Sequence, residues 1–353
     1  MLEASGHRRT AIGSGRGFGR PTRAALVTLA GLAVLALLPS VMLALDQPYY
    51  VSLATRVVIY AIAAVSLDLI LGYGGLVSFG HGAFVGAGAY VVGILFVHAQ
   101  EGSPVLTWPV TLGGSEAALV VWPAAVLVSA LLALVIGAIC LRTRGVPFIM
   151  ITLAFAQMLF YLFVSLPHYG GEDGISLWWR NTLPGGIDLG DDVTFYYLCL
   201  ALLVGFALLC RRLVDSRFGR ILRAGKENER RLRALGVAPY PYRLTAFVIA
   251  GAGAGLAGAL LANQTGFVSP APLHWTGSGE IMVMVILGGL GTLVGPILGA
   301  AALLVLEETL SAYTPHWGLI LGPILILMVL TSRRGLYGWM AGHRDRDGGA
   351  GGG

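Results

Sequence analysis

Residues 117–141 read AALVVWPAAVLVSALLALVIGAICL, 25 residues without one Asp, Glu, Lys or Arg. About 20 mostly apolar residues cross a bilayer as a helix, so this run predicts a transmembrane span. Similar runs flank it at 24–45, 51–71, 76–98, 146–166, 193–210 and 244–262. The first of these is longer than the 7–15-residue core of a signal peptide, and no small-x-small cleavage site follows it, so it reads as a retained span. The stretch from Ile281 to Thr331 is also apolar, but Gly288, Gly289, Gly291, Gly295, Pro296 and Pro315 interrupt it.

Composition agrees with this reading. Of 353 residues, 56% are hydrophobic and 12% charged, and the mean hydropathy is +0.78. A soluble domain carries roughly 25% charged residues. The chain cannot cover a water-facing surface of its size, which excludes a soluble enzyme. Its 23 basic residues include a single lysine, Lys226. Lys226 follows Gly225, but Glu227 comes next and Arg220 stands where a P-loop needs its first glycine, so no ATP-binding loop is present. Cys140, Cys199 and Cys210 form no C-x-x-C, which suggests neither zinc nor a disulfide framework. No cofactor is called for.

The connections set the topology, because short loops rich in Lys and Arg stay inside. Segment 99–116 has Glu101 and Glu116 and no basic residue. Segment 167–192 sets Glu172, Asp173, Asp188, Asp191 and Asp192 against Arg180 alone, and 263–280 has no basic residue. These read as outside. Inside are 142–145, with Arg142 and Arg144, and 211–243, with ten basic and three acidic residues. The net charge of +5 therefore sorts by membrane side and does not point to nucleic acid. With both termini inside the span count is even. Seven spans precede residue 263, so three pieces within 281–331 give about ten, and one would give eight. The expected fold is all-α, a polytopic membrane helical bundle with short or broken helices and an internal repeat. Residues 1–23 read as a basic arm, 24–335 as the membrane domain and 336–353 as a flexible tail.

Two glycine-rich interruptions stand out. Residues 72–93, GYGGLVSFGHGAFVGAGAYVVG, hold eight glycines. Irregular backbone survives at membrane depth only where protein or water covers it. Asp68, Ser78, Phe79, Gly80, His81 and Gly82 are thus candidates for a translocation pathway. Close helix packing through Gly82 and Gly86 is the competing account, and both can hold. The second interruption, LGGLGTLVGPILGA at 287–300, lies in the other half of the chain, as an internal-repeat transporter would place it. Ionisable residues inside apolar runs usually face protein, water or a partner. Here these are Arg56, Asp68, Glu280 and the Glu307–Glu308 pair, and Glu280 joins the pathway set. Arg56 and Asp68 stand about 18 Å apart along a helix and cannot pair. His81 has no second histidine nearby, so no metal site is expected.

The largest polar feature runs from Arg211 to Arg243. Phe218, Ile221, Leu222, Leu232 and Leu235 fall near one helical face, Ser216 is a candidate N-cap, and Gly236 with Pro239 is a stop signal. Such a basic amphipathic segment can lie on lipid, anchor orientation or dock another protein. Glu227, Asn228 and Glu229 within it argue against lipid alone.

Four segments in order, SLDLILGYGGLVSFGHGAFVGAGAY, YGGEDGIS, RFGRILRAGKENERRLRALGV and GEIMVMVILGGLGTLVGPILGA, resemble a LivM-type permease. That family supplies a membrane subunit of branched-chain amino-acid ABC importers. The likeness runs from about Tyr50 to Leu336. It departs at Gly74-Gly75-Leu76, where family members often carry Ala-Gly-Gln. The resemblance implies a bacterial inner-membrane importer subunit and not an enzyme. Its expected partners are a homologous second permease, two ATPase subunits and an extracytoplasmic binding protein, besides membrane lipid. It also implies an ATPase-coupling role for the segment holding Arg220, Ala224, Lys226, Glu227, Asn228, Glu229, Ala234 and Gly236. Permeases for urea, short amides or small carboxylates share the scaffold. A proton-driven carrier using Asp68, His81 or Glu280 would not need the coupling segment.

Overall fold

The computed structural model describes residues 23–106, 112–185, 188–331 and 335–341. Helices follow one another as α1 (Arg23–Ala44), α2 (Tyr49–Asp68), α3 (His81–Glu101), α4 (Ala118–Cys140), α5 (Val146–Val164) and α6 (Asp192–Asp215). Next come α7 (Arg217–Glu227), α8 (Glu229–Ala234), α9 (Pro239–Thr265), α10 (Trp275–Gly288), α11 (Gly295–Tyr313), α12 (Trp317–Thr331) and α13 (Gly335–Ala341). Two short antiparallel ladders close loops: β1 (Pro104–Leu106) with β2 (Leu112–Gly113), and β3 (Ile175–Ser176) with β4 (Phe267–Val268). Almost all of the basic arm and all of the tail beyond Ala341 lie outside the described residues. The first residues of the tail form α13, where Leu336 packs on the core.

Among the described residues, seven helices are long and apolar enough to cross a membrane, and three shorter apolar ones lie at Ala30–Ala44, Trp275–Gly288 and Trp317–Leu327. The protein is thus a polytopic helical bundle with short and broken members. The interrupted stretch 281–331 divides into three pieces, as its glycines and prolines suggested.

At the centre, α9 packs against α3 and α4 through glycine. A Cβ on Gly258 would lie 1.8 Å from the Val85 carbonyl oxygen, and one on Gly88 would lie 2.1 Å from that of Gly255. Lipid tails are as apolar as leucine, so membrane helices associate through such close van der Waals approach. Phe84 meets Phe247 edge-on across the same contact, with ring centroids 5.6 Å apart.

The connections gather at two ends. At one end, Ala118 N–H donates to Thr182 O at 2.8 Å and Asn181 N–H to Asn263 Oδ1 at 2.8 Å. Arg180 there meets Asp192 at 2.5 Å. Asp191 caps α6 by accepting from the hydroxyl and N–H of Thr194, and these bonds hold its carboxyl below the ordinary carboxylate pKa. At the other end, Arg144 reaches Glu229, and Tyr240 Oη donates to Ala138 O at 3.0 Å. The described parts of segments 99–116, 167–192 and 263–280, read above as outside, thus share one end, and the basic segments 142–145 and 211–243 share the other.

Replacing Gly258 with Leu drives a side chain into the α3 backbone. Overpacking of a tight core costs about 1–3 kcal/mol, occasionally more. The expected result is a lowered melting temperature of the detergent-solubilised protein. Gly205→Leu, where an added Cβ would meet nothing within 4 Å, leaves that temperature unchanged.

Candidate functional site

The two glycine-rich interruptions meet, and one carboxylate joins them. Asp68, at the end of α2, is fully buried. Its Oδ1 accepts from Gly291 N–H at 2.7 Å and its Oδ2 from Leu293 N–H at 3.3 Å. These donors belong to the turn between α10 and α11, where Gly289, Gly291 and Leu293 all have positive φ. For Leu293, at φ 57°, a left-handed conformation costs roughly 1–2 kcal/mol. The bond to Asp68 offsets that strain. Thr292 Oγ1 stiffens the turn by donating to Gly289 O at 2.8 Å and accepting from Gly295 N–H at 2.9 Å.

Past Asp68, α2 widens into a π-turn at Leu69–Tyr73. Gly72 must be glycine, because a Cβ there would sit 2.1 Å from Asp68 Oδ1 and 2.4 Å from the Gly291 nitrogen. Its carbonyl accepts from Lys226 Nζ at 2.7 Å. The only lysine of the chain therefore ties α7 to the crossing of the two interruptions. Gly75, at φ 66°, turns the chain out of α2.

Residues 78–82 bridge into α3 and are bonded from three sides. Phe79 N–H donates to Thr152 Oγ1 of α5 at 3.3 Å, and Gly82 N–H to Ser278 Oγ of α10 at 2.8 Å. Ser78 Oγ accepts from Gly80 N–H at 3.2 Å. Ser78 and His81, three apart in sequence, do not share a helical face, since α3 begins only at His81. His81 instead pairs with Ser66 of α2, at 2.7 Å between Nε2 and Oγ. The Ser66 hydroxyl donates to Ala63 O at 2.7 Å, so His81 Nε2 is the donor to Ser66. Gly82 also packs tightly, with a Cβ there 2.6 Å from Pro272 O.

The pathway candidates thus divide. Asp68, Ser78, Gly80, His81 and Gly82 are buried, Phe79 is half-buried and Glu280 is exposed. A cavity of about 480 Å³ lies apart from them, between α1, α2, α6 and α11, with Arg211 the only charged residue in its apolar lining among the described residues. The sequence reading missed Ser66, Thr152 and Ser278. Single hydroxyls inside apolar runs were the available signal, but such residues more often bond their own helix.

The polar segment is two helices and not one. Ser216 caps α7 by accepting from Phe218 N–H at 3.2 Å, as expected. Asn228 interrupts the helix and caps α8 by accepting from Arg231 N–H at 3.0 Å. The break rotates the second half, so Leu222 and Leu232 are buried while Leu235 is 74% exposed. Arg220, Lys226, Glu227, Asn228, Ala234 and Gly236 are exposed and Ala224 is half-buried. Glu229 does not point outward with its neighbours. It is buried among Arg144, Arg233 at 2.9 Å and Arg243 at 2.8 Å, fixing α8 to the α4–α5 turn and to α9.

Removing the Asp68 carboxylate leaves the buried Leu293 N–H and the half-buried Gly291 N–H without an acceptor, and a buried unsatisfied group costs about 1–3 kcal/mol. We expect Asp68→Ala to lower the melting temperature clearly and Asp68→Asn, which keeps one acceptor oxygen, to lower it less.

Residues 49–330 match the family model described as the permease component of branched-chain amino acid transport systems. The LivM permease of the high-affinity branched-chain amino acid transport system of Salmonella typhimurium is 32% identical over 328 residues, covering 85% of this chain and 74% of its own. LivM of Escherichia coli K12 is 32% identical over 322 residues, covering 83% and 72%. The autoinducer 2 import permease LsrC of Yersinia enterocolitica is 34% identical over 146 residues, covering 37% and 39%. No solved structure gives a significant match. The helical bundle, the four ordered segments and these likenesses agree: the chain belongs to the family of branched-chain amino acid transport permeases.

Proposed function

We infer that this chain is the membrane permease of an ATP-driven ABC importer for branched-chain amino acids, a multi-pass protein of a bacterial inner membrane. It is a transport component and not an enzyme, and the ATPase resides on separate subunits. The likenesses to LsrC cover 37–57% of the chain, whereas those to LivM cover 83–85%, which favours a branched-chain cargo. Its working assembly contains a homologous second permease, two ATPase subunits and an extracytoplasmic substrate-binding protein. The basic end faces the cytoplasm, and so do both termini.

One observation carries the coupling part of this reading. Lys226 on α7 holds the Gly72 carbonyl, and the same turn of α2 carries Asp68 and with it the α10–α11 turn. An ATPase moving α7 would thereby shift both interrupted helices together, as rigid packed elements transmit displacement. The outward residues Arg220, Glu227 and Asn228 form the contact with the ATPase, while Glu229 braces α8 from behind.

The test uses the complete importer. A misplaced charge at a docked site costs several kcal/mol, and an exposed substitution costs the fold only about 0.5 kcal/mol. Glu227→Arg is expected to insert and fold normally but to weaken ATPase association at least about tenfold and to lower uptake accordingly. A Glu227→Arg complex that binds its ATPase and transports like the parent removes α7 from the coupling role.

A further inference from the structure

Charges survive at membrane depth only against protein, water or a partner. The buried polar residues of this bundle have protein all around them; a second set is only partly covered. Arg56 is seven residues from the start of α2, Glu280 five from the start of α10, and Glu307 six from the end of α11. At 1.5 Å per residue each lies about 8–10 Å from the end opposite α7. The three thus share one depth, and Arg56 approaches Glu307 at 3.9 Å. Their side chains are open: Arg56 is 39% and Glu307 30% accessible, and Glu280 is exposed.

The remainder of this face fits passage better than lipid contact. Along α2 the incompletely buried positions are Tyr49, Tyr50, Ser52, Leu53, Arg56 and Tyr60; all but Tyr50 form a mostly polar stripe at helical spacing, and the rest of the helix is buried. The Arg56 guanidinium lies 5.8 Å from the Tyr60 ring centre. On α10, Val283 and Ile286 are half-buried below Glu280 and supply apolar surface beside the charges.

The charge count is uneven. Glu308 accepts from the Tyr49 hydroxyl, and Glu307 faces Arg56 across a long gap. Glu280 has no ion-pair partner within 4 Å among the described residues, although Arg56 and Glu307 are its electrostatic neighbours. A purely structural ion pair needs no third charge. One guanidinium with an additional carboxylate beside it matches a molecule carrying one carboxylate and one ammonium.

We propose that the face of α2, α10 and α11 bearing Arg56, Tyr60, Glu280 and Glu307 is the wall along which the zwitterionic amino acid crosses. Arg56 draws its carboxylate, Glu280 and Glu307 draw its ammonium, and Val283 and Ile286 border its side chain. This rests on the functional reading above and relocates the pathway from the sealed 78–82 segment to the open face.

The experiment uses the full importer, with its partner subunits, in proteoliposomes. Cys140, Cys199 and Cys210 are all buried and unpaired, so an introduced cysteine stands out against them. In Glu280→Cys, a water-soluble, membrane-impermeant thiol reagent is expected to react at least about tenfold faster than with the parent, and leucine turnover should slow that reaction. Arg56→Met and Glu280→Gln should each cut leucine uptake about tenfold or more in complexes of normal composition, and Arg56→Lys should recover part of the loss. Uptake at parental rates in both neutral variants overturns the proposal. So does a Glu280→Cys complex no more reactive than the parent, since the face would then be sealed by the second permease. A parent complex that takes up no branched-chain amino acid overturns the functional reading itself, and that measurement is made before any variant.

Discussion

A single carboxylate closes the architecture. Asp68 accepts hydrogen bonds from two backbone N–H groups of the α10–α11 turn, more than 220 residues away in sequence. Without an acceptor the buried Leu293 donor and the half-buried Gly291 donor would be left unsatisfied, which a bilayer makes costly. Because Asp68 serves them, α10 can stop after 14 residues and α11 can begin again at Gly295. Glycine makes the crossing possible, since a side chain on Gly72 would collide with both Asp68 and Gly291. A buried carboxyl group inside the bundle is here bonded to backbone donors, and its position is fixed by both helices.

The same junction gives the polar segment its reach. Lys226 commits its ammonium to the Gly72 carbonyl, so α7 is held to the end of α2 by a charge-assisted bond. Glu229 secures the following helix through three arginines drawn from the α4–α5 turn, α8 itself and α9. The face left outward between these anchors is polar. A docking partner therefore meets a surface whose far side is bonded to the membrane core, which favours transmission of movement over local bending.

The bundle separates two kinds of polar residue by their surroundings. Ser66, His81, Thr152 and Ser278 bond one another or nearby backbone within the core and lock the irregular 74–80 segment in place. Arg56, Glu280 and Glu307 stand on an open face of the same helices. Both kinds are isolated polar residues in apolar runs, and only their burial tells them apart.

Hydropathy, charge sorting and turn residues were enough to establish a polytopic helical bundle, because each depends on local sequence and on the thickness of a bilayer. The division of 281–331 into three pieces, the Ser216 cap and the sorting of loops into an acidic and a basic end were legible for the same reason. The ordered segments at 66–90, 169–176, 217–237 and 279–300 carried the family. What they did not contain was direction. Helical periodicity placed Leu235 with Leu222, but Asn228 breaks the helix and rotates the second half away. Glu229 stands two residues from Glu227, but Arg144 and Arg243 from other elements and Arg233 of its own helix draw it inward. Ser78 and His81 are three apart in sequence, yet His81 bonds Ser66 across the α2–α3 junction. The Asn228 break is local, but the Glu229 and His81 pairings join residues of different elements, and only the tertiary structure decides which acceptor a buried donor finds.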